Sequence, residues 1–456
     1  MSRPTFAELR PRLLLIAAFA FVLLLGLLGG SSRADAPSQL VVRLAASVAL
    51  ALVPLLVPSL RAGLRIPVLL AAAWALLMAA QLVPLPVAWW AALPGRAALQ
   101  EANALIGEQP WRPLSIAPAL TLNSLAALLP PLALLLFCAG MAGRASRQLG
   151  LAWALVGIAT ATLGVAQLAG GNADLYLYEI SSVGFPAGVF ANRNHQAIFL
   201  AALLPLVAGW LGTAPSKGLR ARAGAAWGVL AALFALVVLT SGSRAGFVLF
   251  VVAAPLSWWL LRRAGTPTLP RTVVSGRLPA FAGAALLIVL AIIALKLPTA
   301  FERFGQDEGN ELRFANLPLV GALIARYFPA GAGFGTFDTA FRMIEPDSSL
   351  ARSYFNHAHN DLAEILMEGG LAAALVAAAF AAWLARRTLS LRALAAGNKE
   401  QLEGLAGLTT MLILLAGSLG DYPLRTPLCA GLFACALAWF ANGTYSSFTR
   451  REPGGI

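Results

Sequence analysis

Apolar runs of about 20 residues recur along this chain from one end to the other. A helix of that length is long enough to cross the hydrocarbon core of a bilayer, which is roughly 30 Å thick. Hydrophobic residues make up 59% of the 456 residues and charged residues only 12%, a balance that is not expected of a soluble domain. The sequence therefore predicts an all-α, polytopic integral membrane protein.

Twelve of these runs are predicted to span the membrane. They lie near residues 12–30, 39–59, 66–84, 120–141, 149–169, 195–213, 223–241, 245–261, 279–297, 361–385, 403–420 and 424–442. The first resembles a signal peptide, but no convincing cleavage site precedes its polar exit, so we interpret it as a retained helix. The predicted organisation is an N-terminal bundle over 1–297, a large loop with short helices over 298–360, and C-terminal helices with a short tail over 361–456.

The distribution of basic residues predicts the orientation of the chain. Loops that are translocated to the outer side of the membrane are depleted of Lys and Arg, whereas cytoplasmic loops retain them. With the N-terminus inside, 20 of the 33 basic residues and only four acidic residues fall in cytoplasmic loops. Both termini are then cytoplasmic, and the 298–360 loop lies on the outer face. The net charge of +13 is explained by short loops that face anionic membrane lipid, so no nucleic-acid partner is expected.

Arg244 is the only charged residue between residues 223 and 261. That stretch is about twice the length of one span, so it must fold back near Thr240-Ser241-Gly242-Ser243, which places the guanidinium at the outer face. A charge there is costly unless it meets a partner. Binding of a phosphate-like anion explains it best, because Arg offers a planar fork to phosphate oxygens. The alternatives are a snorkelling side chain and an ion pair with Asp421.

The segment Asn192-Arg193-Asn194-His195 begins the predicted sixth span at the same outer face. The free amides and positive dipole of a helix start, together with Arg193, suit an anion. An Asn cap followed by a solvated Arg is the simpler alternative.

Two of the three histidines, His357 and His359, end the large loop, and either Asn356 or Asn360 is a candidate cap for the next span. A neutral imidazole is a suitable general base towards a hydroxyl nucleophile. Asp361, Glu364 and Glu368 follow at helical spacing and could orient a histidine or pair with arginines. For Glu368, a solvated acidic face is the preferred interpretation.

Metal binding is a second interpretation of the His-x-His pair, with Asp361 or Glu364 as a third ligand. No further compact ligand cluster supports a zinc site. The cysteines lie inside apolar spans without ligand spacing and are interpreted as small buried hydrophobic side chains: Cys138, Cys429 and Cys435. We therefore expect neither a metal nor another cofactor.

Together, these motifs resemble the O-antigen ligase and polymerase superfamily of bacterial envelope glycosyltransferases. The resemblance covers roughly residues 185–375 and one later turn. Its pieces are Phe190 to Ala197, Thr240 to Gly246, Arg313 with Pro329 to Phe337, His359-Asn360 followed by Gly370, and Asp421-Tyr422-Pro423-Leu424-Arg425. The chain departs from the family pattern at Ala373, where glycine is frequent, and in the additional His357.

The resemblance implies a metal-independent, GT-C-like enzyme of the bacterial inner membrane. Such an enzyme transfers a glycan from undecaprenyl pyrophosphate to an acceptor hydroxyl, a glycan or lipid A-core, on the periplasmic face. It implies that His359 is the base and that Arg244 and Arg313 bind the donor pyrophosphate. Substrate contacts would come from Arg193, Asn192, Asn194, His195, His357, Asn360, Asp421 and Arg425. His357 remains an alternative base.

Two reactions remain open within this family: polymerisation of lipid-linked glycans, which the Asn-Arg-Asn-His segment favours slightly, and ligation of a finished glycan to lipid A-core or to a protein. Other polysaccharide-assembly proteins are possible partners. A transporter of lipid-linked or polysaccharide substrates is the alternative from a different class. Transport predicts charges at the membrane midplane within inverted halves, whereas the unusual residues here gather at one face.

Overall fold

The computed structural model describes residues 5–107, 111–141, 143–170, 173–265, 315–347, 355–392 and 398–449. Within these ranges the chain is almost entirely helical. Its helices are α1 (Phe6–Leu28), α2 (Pro37–Leu56), α3 (Arg65–Ala80), α4 (Val87–Ala91), α5 (Ala97–Leu105), α6 (Pro118–Ala126), α7 (Leu129–Gly140), α8 (Gly143–Gly170), α9 (Arg193–Gly212), α10 (Lys217–Ser241), α11 (Arg244–Arg263), α12 (Leu317–Tyr327), α13 (Phe337–Arg342), α14 (Asp361–Arg392), α15 (Lys399–Gly417) and α16 (Pro427–Thr449). Short 3-10 turns occupy Ala62–Leu64, Ala173–Leu175 and Pro423–Arg425. Strands β1 (Pro84–Leu85) and β2 (Arg112–Pro113) pair in antiparallel orientation.

Nine helical segments of the described ranges are long and apolar enough to cross a membrane. They correspond to nine of the twelve predicted spans, which confirms a polytopic, helical membrane protein. The predicted span 279–297 lies outside the described residues. The span predicted at 403–420 is α15, whose first turns carry Lys399, Glu400 and Glu403. The span predicted at 424–442 is α16, whose apolar part, Pro427–Gly443, is shorter than the other nine segments. The total of twelve therefore stays a prediction.

Helix α9 lies at the centre of the bundle. Its residues from Ala197 to Gly209 are all buried, because the sequence is apolar around the whole circumference rather than on one stripe. Neighbouring helices approach it closely through small residues. A Cβ on Gly246 of α11 would lie 2.3 Å from Ala197, and a Cβ on Gly209 would lie 2.5 Å from Ala406 of α15. Three backbones therefore pack together with little side-chain bulk between them.

These contacts also fix the directions of the helices. Gly246 meets Ala197 near the first turns of α11 and α9, while Gly212 meets Ala264 at their last turns, so the two helices are parallel. Helix α15 runs the opposite way, since its last residue, Gly417, contacts Ile198. The α9 and α11 starts therefore lie beside the end of α15. We call this the site end of the bundle.

The start of α14 joins the site end through the backbone. The Asp361 amide donates to the Ser418 carbonyl at 2.8 Å, immediately after α15 ends. Helix α16 begins there as well, because the Leu428 amide donates to the Gly29 carbonyl at 3.0 Å, just after α1. Five connections thus meet at one end of the bundle. They are the segments after α1, before α9, between α10 and α11, before α14, and between α15 and α16.

A small lobe covers the beginning of α14. It contains Gln81, Arg96, residues 114–121 and residues 331–337. The segment Gly331–Gly335, here called the glycine loop, lies between residues 115–121 and α14. The Ile116 amide donates to the Ala332 carbonyl at 2.9 Å, and the Gly333 amide donates to the Glu368 carbonyl at 2.8 Å. Arg96 is buried beneath this loop and donates to the carbonyls of Leu114 and Gly331. The lobe therefore holds the first turns of α14 in place.

Helix α14 is interrupted at Gly370, where φ is +57° and ψ is −148°. A Cβ at this position would lie 2.1 Å from the carbonyl oxygen of Pro329. We expect Gly370→Ala to lower the free energy of unfolding by roughly 1–3 kcal/mol, because the new side chain meets both backbone strain and a steric clash. Thermal unfolding of the purified protein in detergent measures this.

The matched control for that prediction is Gly228→Ala. Gly228 lies within α10, and nothing surrounds its Cβ position within 4 Å. Alanine there should leave the melting temperature unchanged or raise it slightly, because Ala favours the helix more than Gly does. Equal melting temperatures for the two variants would contradict the interpretation of the break at Gly370.

Candidate active site

The histidine loop, residues 355–360, is anchored by two buried side chains, Phe355 and Ala358. Phe355 packs against Phe337 and Phe341, with ring centroids 5.8 and 5.2 Å away, and Ala358 is also buried. His357 and His359 remain partly exposed, at 20% and 16% of their side-chain surface. The anchoring residues therefore leave both imidazoles at the surface of the site end.

His359 adopts a left-handed backbone conformation, with φ of +49°. Among the described residues it is the only one other than glycine with a positive φ. Such a conformation persists only where the surroundings determine it, and it is frequent at functional sites. Asn360 follows and caps α14, since its Oδ1 accepts the Ala363 amide at 3.1 Å. The predicted cap is confirmed.

Asp421 lies between two histidines. Its Oδ1 is 3.4 Å from Nε2 of His195 and 3.5 Å from Nδ1 of His359. The carboxyl is fully buried in the short connection between α15 and α16. Burial raises the pKa of Asp421, but the interactions with His195 and His359 outweigh this and hold that pKa well below its usual range. The residue is therefore a carboxylate that orients two imidazoles.

All three histidines of the chain surround the ring of Tyr422. Its centroid lies 5.0 Å from His195, 4.2 Å from His357 and 5.0 Å from His359. Tyr422 is itself buried. Tyr422 lies inside a motif of the family resemblance, but no local pattern singles it out. More than 60 residues of sequence separate Tyr422 from the histidine loop, so no local pattern predicts this packing.

Arg425 lies opposite three carboxylates of α14. Its Nη2 is 3.0 Å from Oε1 of Glu364 and 3.7 Å from Oε2 of Glu368, and its Nε is 3.3 Å from Oδ1 of Asp361. Burial lowers the pKa of Arg425, but the three carboxylates outweigh burial and raise it above its usual range. Arg425 therefore fixes the acidic face of α14.

Glu364 connects this cluster to the histidine loop. Its Oε1 is 2.8 Å from Nδ1 of His357, and its Oε2 accepts the Ala358 amide at 3.2 Å. The prediction that an acidic residue of α14 orients a histidine is confirmed.

The expectation of a solvated acidic face at Glu368 is wrong. The side chain is fully buried, and its Oε1 accepts the Phe337 amide at 3.1 Å. The Gln81 side chain donates to the Glu368 carbonyl at 3.0 Å and accepts the Phe334 amide at 3.0 Å. The spacing correctly predicted a common face, but the small lobe covers that face.

The turn before Arg244 has the form that the sequence predicted. Gly242 has a φ of +69° and ends α10, and Oγ of Ser243 accepts the Gly246 amide at 3.1 Å, which caps α11. Arg244 is then the first residue of α11, with an exposed side chain. Because Gly246 packs against Ala197, this guanidinium lies at the site end, beside the start of α9.

The segment at the start of α9 has largely structural contacts. Oδ1 of Asn192 accepts the Asn194 amide at 2.8 Å, so Asn192 is the helix cap. The guanidinium of Arg193 lies over the Phe185 ring, 3.8 Å from its centroid, rather than being fully solvated. His195 is buried against Asp421.

Arg313 lies outside the described residues, so its predicted role in donor binding stays a prediction. Within the described ranges, no group of three or more His, Cys, Asp or Glu side chains is arranged to hold a metal ion. The three cysteines are buried, as the sequence predicted, and each is a free thiol.

Comparison with known families agrees with this geometry. A family model described as O-antigen ligase matches residues 229–378, which include the Ser243-Arg244 turn, the glycine loop, the histidine loop and the acidic start of α14. A search of curated proteins finds no match. The chain is thus an integral membrane protein whose residues 229–378 match the O-antigen ligase family, and this match supports the resemblance to the O-antigen ligase and polymerase superfamily.

Proposed function

We propose that the protein transfers a glycan from undecaprenyl pyrophosphate to an acceptor hydroxyl at the site end of the bundle. The observation that carries this proposal is the contact between Asp421 and Nδ1 of His359, 3.5 Å apart. A carboxylate on Nδ1 orients an imidazole and leaves Nε2 as the basic atom. A partly exposed imidazole held in this way is suited to accept the proton of an acceptor hydroxyl.

The second requirement of the reaction is an anion site for the departing pyrophosphate. Arg244 is exposed at the first turn of α11, next to the start of α9 with Arg193. Two helix starts and two guanidiniums at one end favour a multiply charged anion. Arg313, from outside the described residues, is the third proposed contact.

The proposed reaction is a displacement at the anomeric carbon. The acceptor oxygen forms a bond to that carbon while the bond from the carbon to the phosphate oxygen breaks. The acceptor proton passes to His359, and the bonding electron pair leaves with undecaprenyl pyrophosphate. The arginines stabilise the charge that develops on the departing group. No nucleotide sugar or cofactor takes part in this step.

The proposed orientation places the site end in the periplasm and both termini in the cytoplasm of a bacterial inner membrane. The distribution of Lys and Arg supports it. In this arrangement the glycine loop and the histidine loop belong to a periplasmic segment over 298–360, between a bundle over 1–297 and the C-terminal helices over 361–456.

Polymerisation and ligation use the same displacement and differ in the acceptor. Deletion of the gene, followed by analysis of lipid-linked glycans, separates them. For the polymerase, which we place first, single repeat units on undecaprenyl pyrophosphate should accumulate. Accumulated long chains would identify a ligase instead. Unchanged lipid-linked and surface glycans in the deletion strain would contradict the proposal.

A further inference from the structure

We propose that His357 is a second proton-transfer residue, positioned by Glu364 and Arg425, and that it acts as the general acid towards the departing phosphate oxygen. This inference rests on the proposed transfer reaction. It assigns the two histidines of the His-x-His pair to different protons rather than leaving them as alternatives for one role.

Of the two contacts between an imidazole and a carboxylate, the one between His357 and Glu364 is the closer. Nδ1 of His357 lies 2.8 Å from Glu364, whereas Nδ1 of His359 lies 3.5 Å from Asp421. The carboxylate of Glu364 is itself buried and fixed, because its second oxygen accepts the Ala358 amide. A hydrogen bond to a fixed carboxylate determines the ring orientation and stabilises the imidazolium form.

The second support is the position of Arg425. Its Nη2 lies 3.0 Å from the same oxygen of Glu364 that contacts His357. One guanidinium therefore clamps the carboxylate that holds the imidazole, in the way that outer residues orient an inner catalytic group. Asp361 and Glu368 face the same guanidinium, so three carboxylates face Arg425, and one of them, Glu364, also contacts His357.

The third support is the common platform. Both imidazoles lie against the Tyr422 ring, which His195 also contacts. Both remain partly exposed, while His195 is 1% exposed. The site thus presents two accessible imidazoles, each with its own carboxylate on Nδ1. Transfer of a glycan involves one proton at the acceptor oxygen and one at the leaving oxygen, which matches this pair.

Each proton that moves in this step has a named donor and a named acceptor. His359 takes the acceptor proton as the bond from oxygen to the anomeric carbon forms. His357 gives a proton to the phosphate oxygen as its bond to that carbon breaks, so the electron pair remains on undecaprenyl pyrophosphate in protonated form. Exchange with solvent then returns His359 to its neutral form and His357 to its charged form.

The test is the pH dependence of kcat/KM for transfer by the full-length purified protein in detergent. The donor probe is the lipid-linked glycan extracted from the deletion strain. For the unaltered protein we expect a bell-shaped profile, because one group must be neutral and the other protonated. His357→Gln should lower the rate about 100-fold and remove the fall at high pH. Glu364→Gln should also lower the rate and move the high-pH limb, because the imidazole loses the carboxylate that holds its Nδ1.

Asp338→Asn is the matched control, since Asp338 is exposed and pairs with Arg342 within α13. Its profile should equal that of the unaltered protein. If His357→Gln does not fold, the shift in Glu364→Gln decides. An unmoved high-pH limb in the folded variants would overturn the inference, and so would loss of the low-pH limb in His357→Gln. Absence of transfer by the unaltered protein would instead refute the proposed function.

Discussion

Replacing His359 by Asn should reduce glycan transfer by about 10²–10⁴-fold, because the acceptor hydroxyl loses its general base. Asparagine is the appropriate substitution, since it tolerates the left-handed backbone that His359 adopts at φ of +49°. Alanine there would add a conformational cost unrelated to proton transfer. The measurement is the rate of acceptor glycosylation by purified protein with a lipid-linked donor.

Two controls separate chemistry from folding in the His359→Asn experiment. The thermal midpoint of the variant should remain close to that of the unaltered protein, because Asp421 keeps His195 as a partner at 3.4 Å. Binding of the lipid-linked donor should also persist. A folded His359→Asn protein with normal turnover would exclude His359 as the base.

Replacing Arg244 by Ala should lower kcat by about 10²–10³-fold, because the developing charge on the leaving pyrophosphate loses a fixed donor. Arg244→Lys should restore little activity if the guanidinium binds two oxygens at once, since an ammonium cannot reproduce that fork. Folding should be unaffected, because Ser243 rather than Arg244 caps α11 and the Arg244 side chain is exposed.

Arg33→Ala is the matched control for Arg244→Ala. Arg33 follows α1 at the site end and pairs with Asp35 at 2.6 Å, with 32% of its side chain exposed. Removal of this cation changes the net charge by the same amount and should leave transfer near its normal rate. Equal losses in the two variants would mean that general surface charge, rather than a specific anion contact, explains the effect of Arg244.

The sequence predicted the elements of this fold well where local patterns decide them. Runs of apolar residues predicted nine spans that the structure contains, and the Ser-Gly-Ser-Arg turn predicted the break between α10 and α11. Packing between distant segments was not predictable in the same way. The small lobe depends on contacts such as that between Gln81 and Glu368, 287 residues apart, which no local pattern encodes.

The sequence predicted where the site lies. It predicted less well which site residues contact other protein groups and which are open to substrate. Because loops on one side of a membrane protein share one face, the motifs of the family resemblance were expected to lie near one another, and the structure brings their described members to the site end. His195, Asp421 and Arg425 were predicted to contact substrate. The structure surrounds them with protein partners, and His195 and Asp421 are buried while Arg425 is partly buried. This arrangement follows from α9, α14 and α15 meeting at their ends. Tyr422 was not predicted as a site residue, because the sequence around an aromatic residue in a turn does not indicate which distant residues pack against it.

Covalent transfer of a glycan can be measured by reconstitution in vesicles. Purified full-length protein in vesicles that contain the lipid-linked glycan and an acceptor should produce glycosylated acceptor and free undecaprenyl pyrophosphate in equal molar amounts. The His359→Asn protein should produce neither above background. Movement of intact lipid-linked glycan across the bilayer without any new glycosidic bond would contradict the account and identify a transporter.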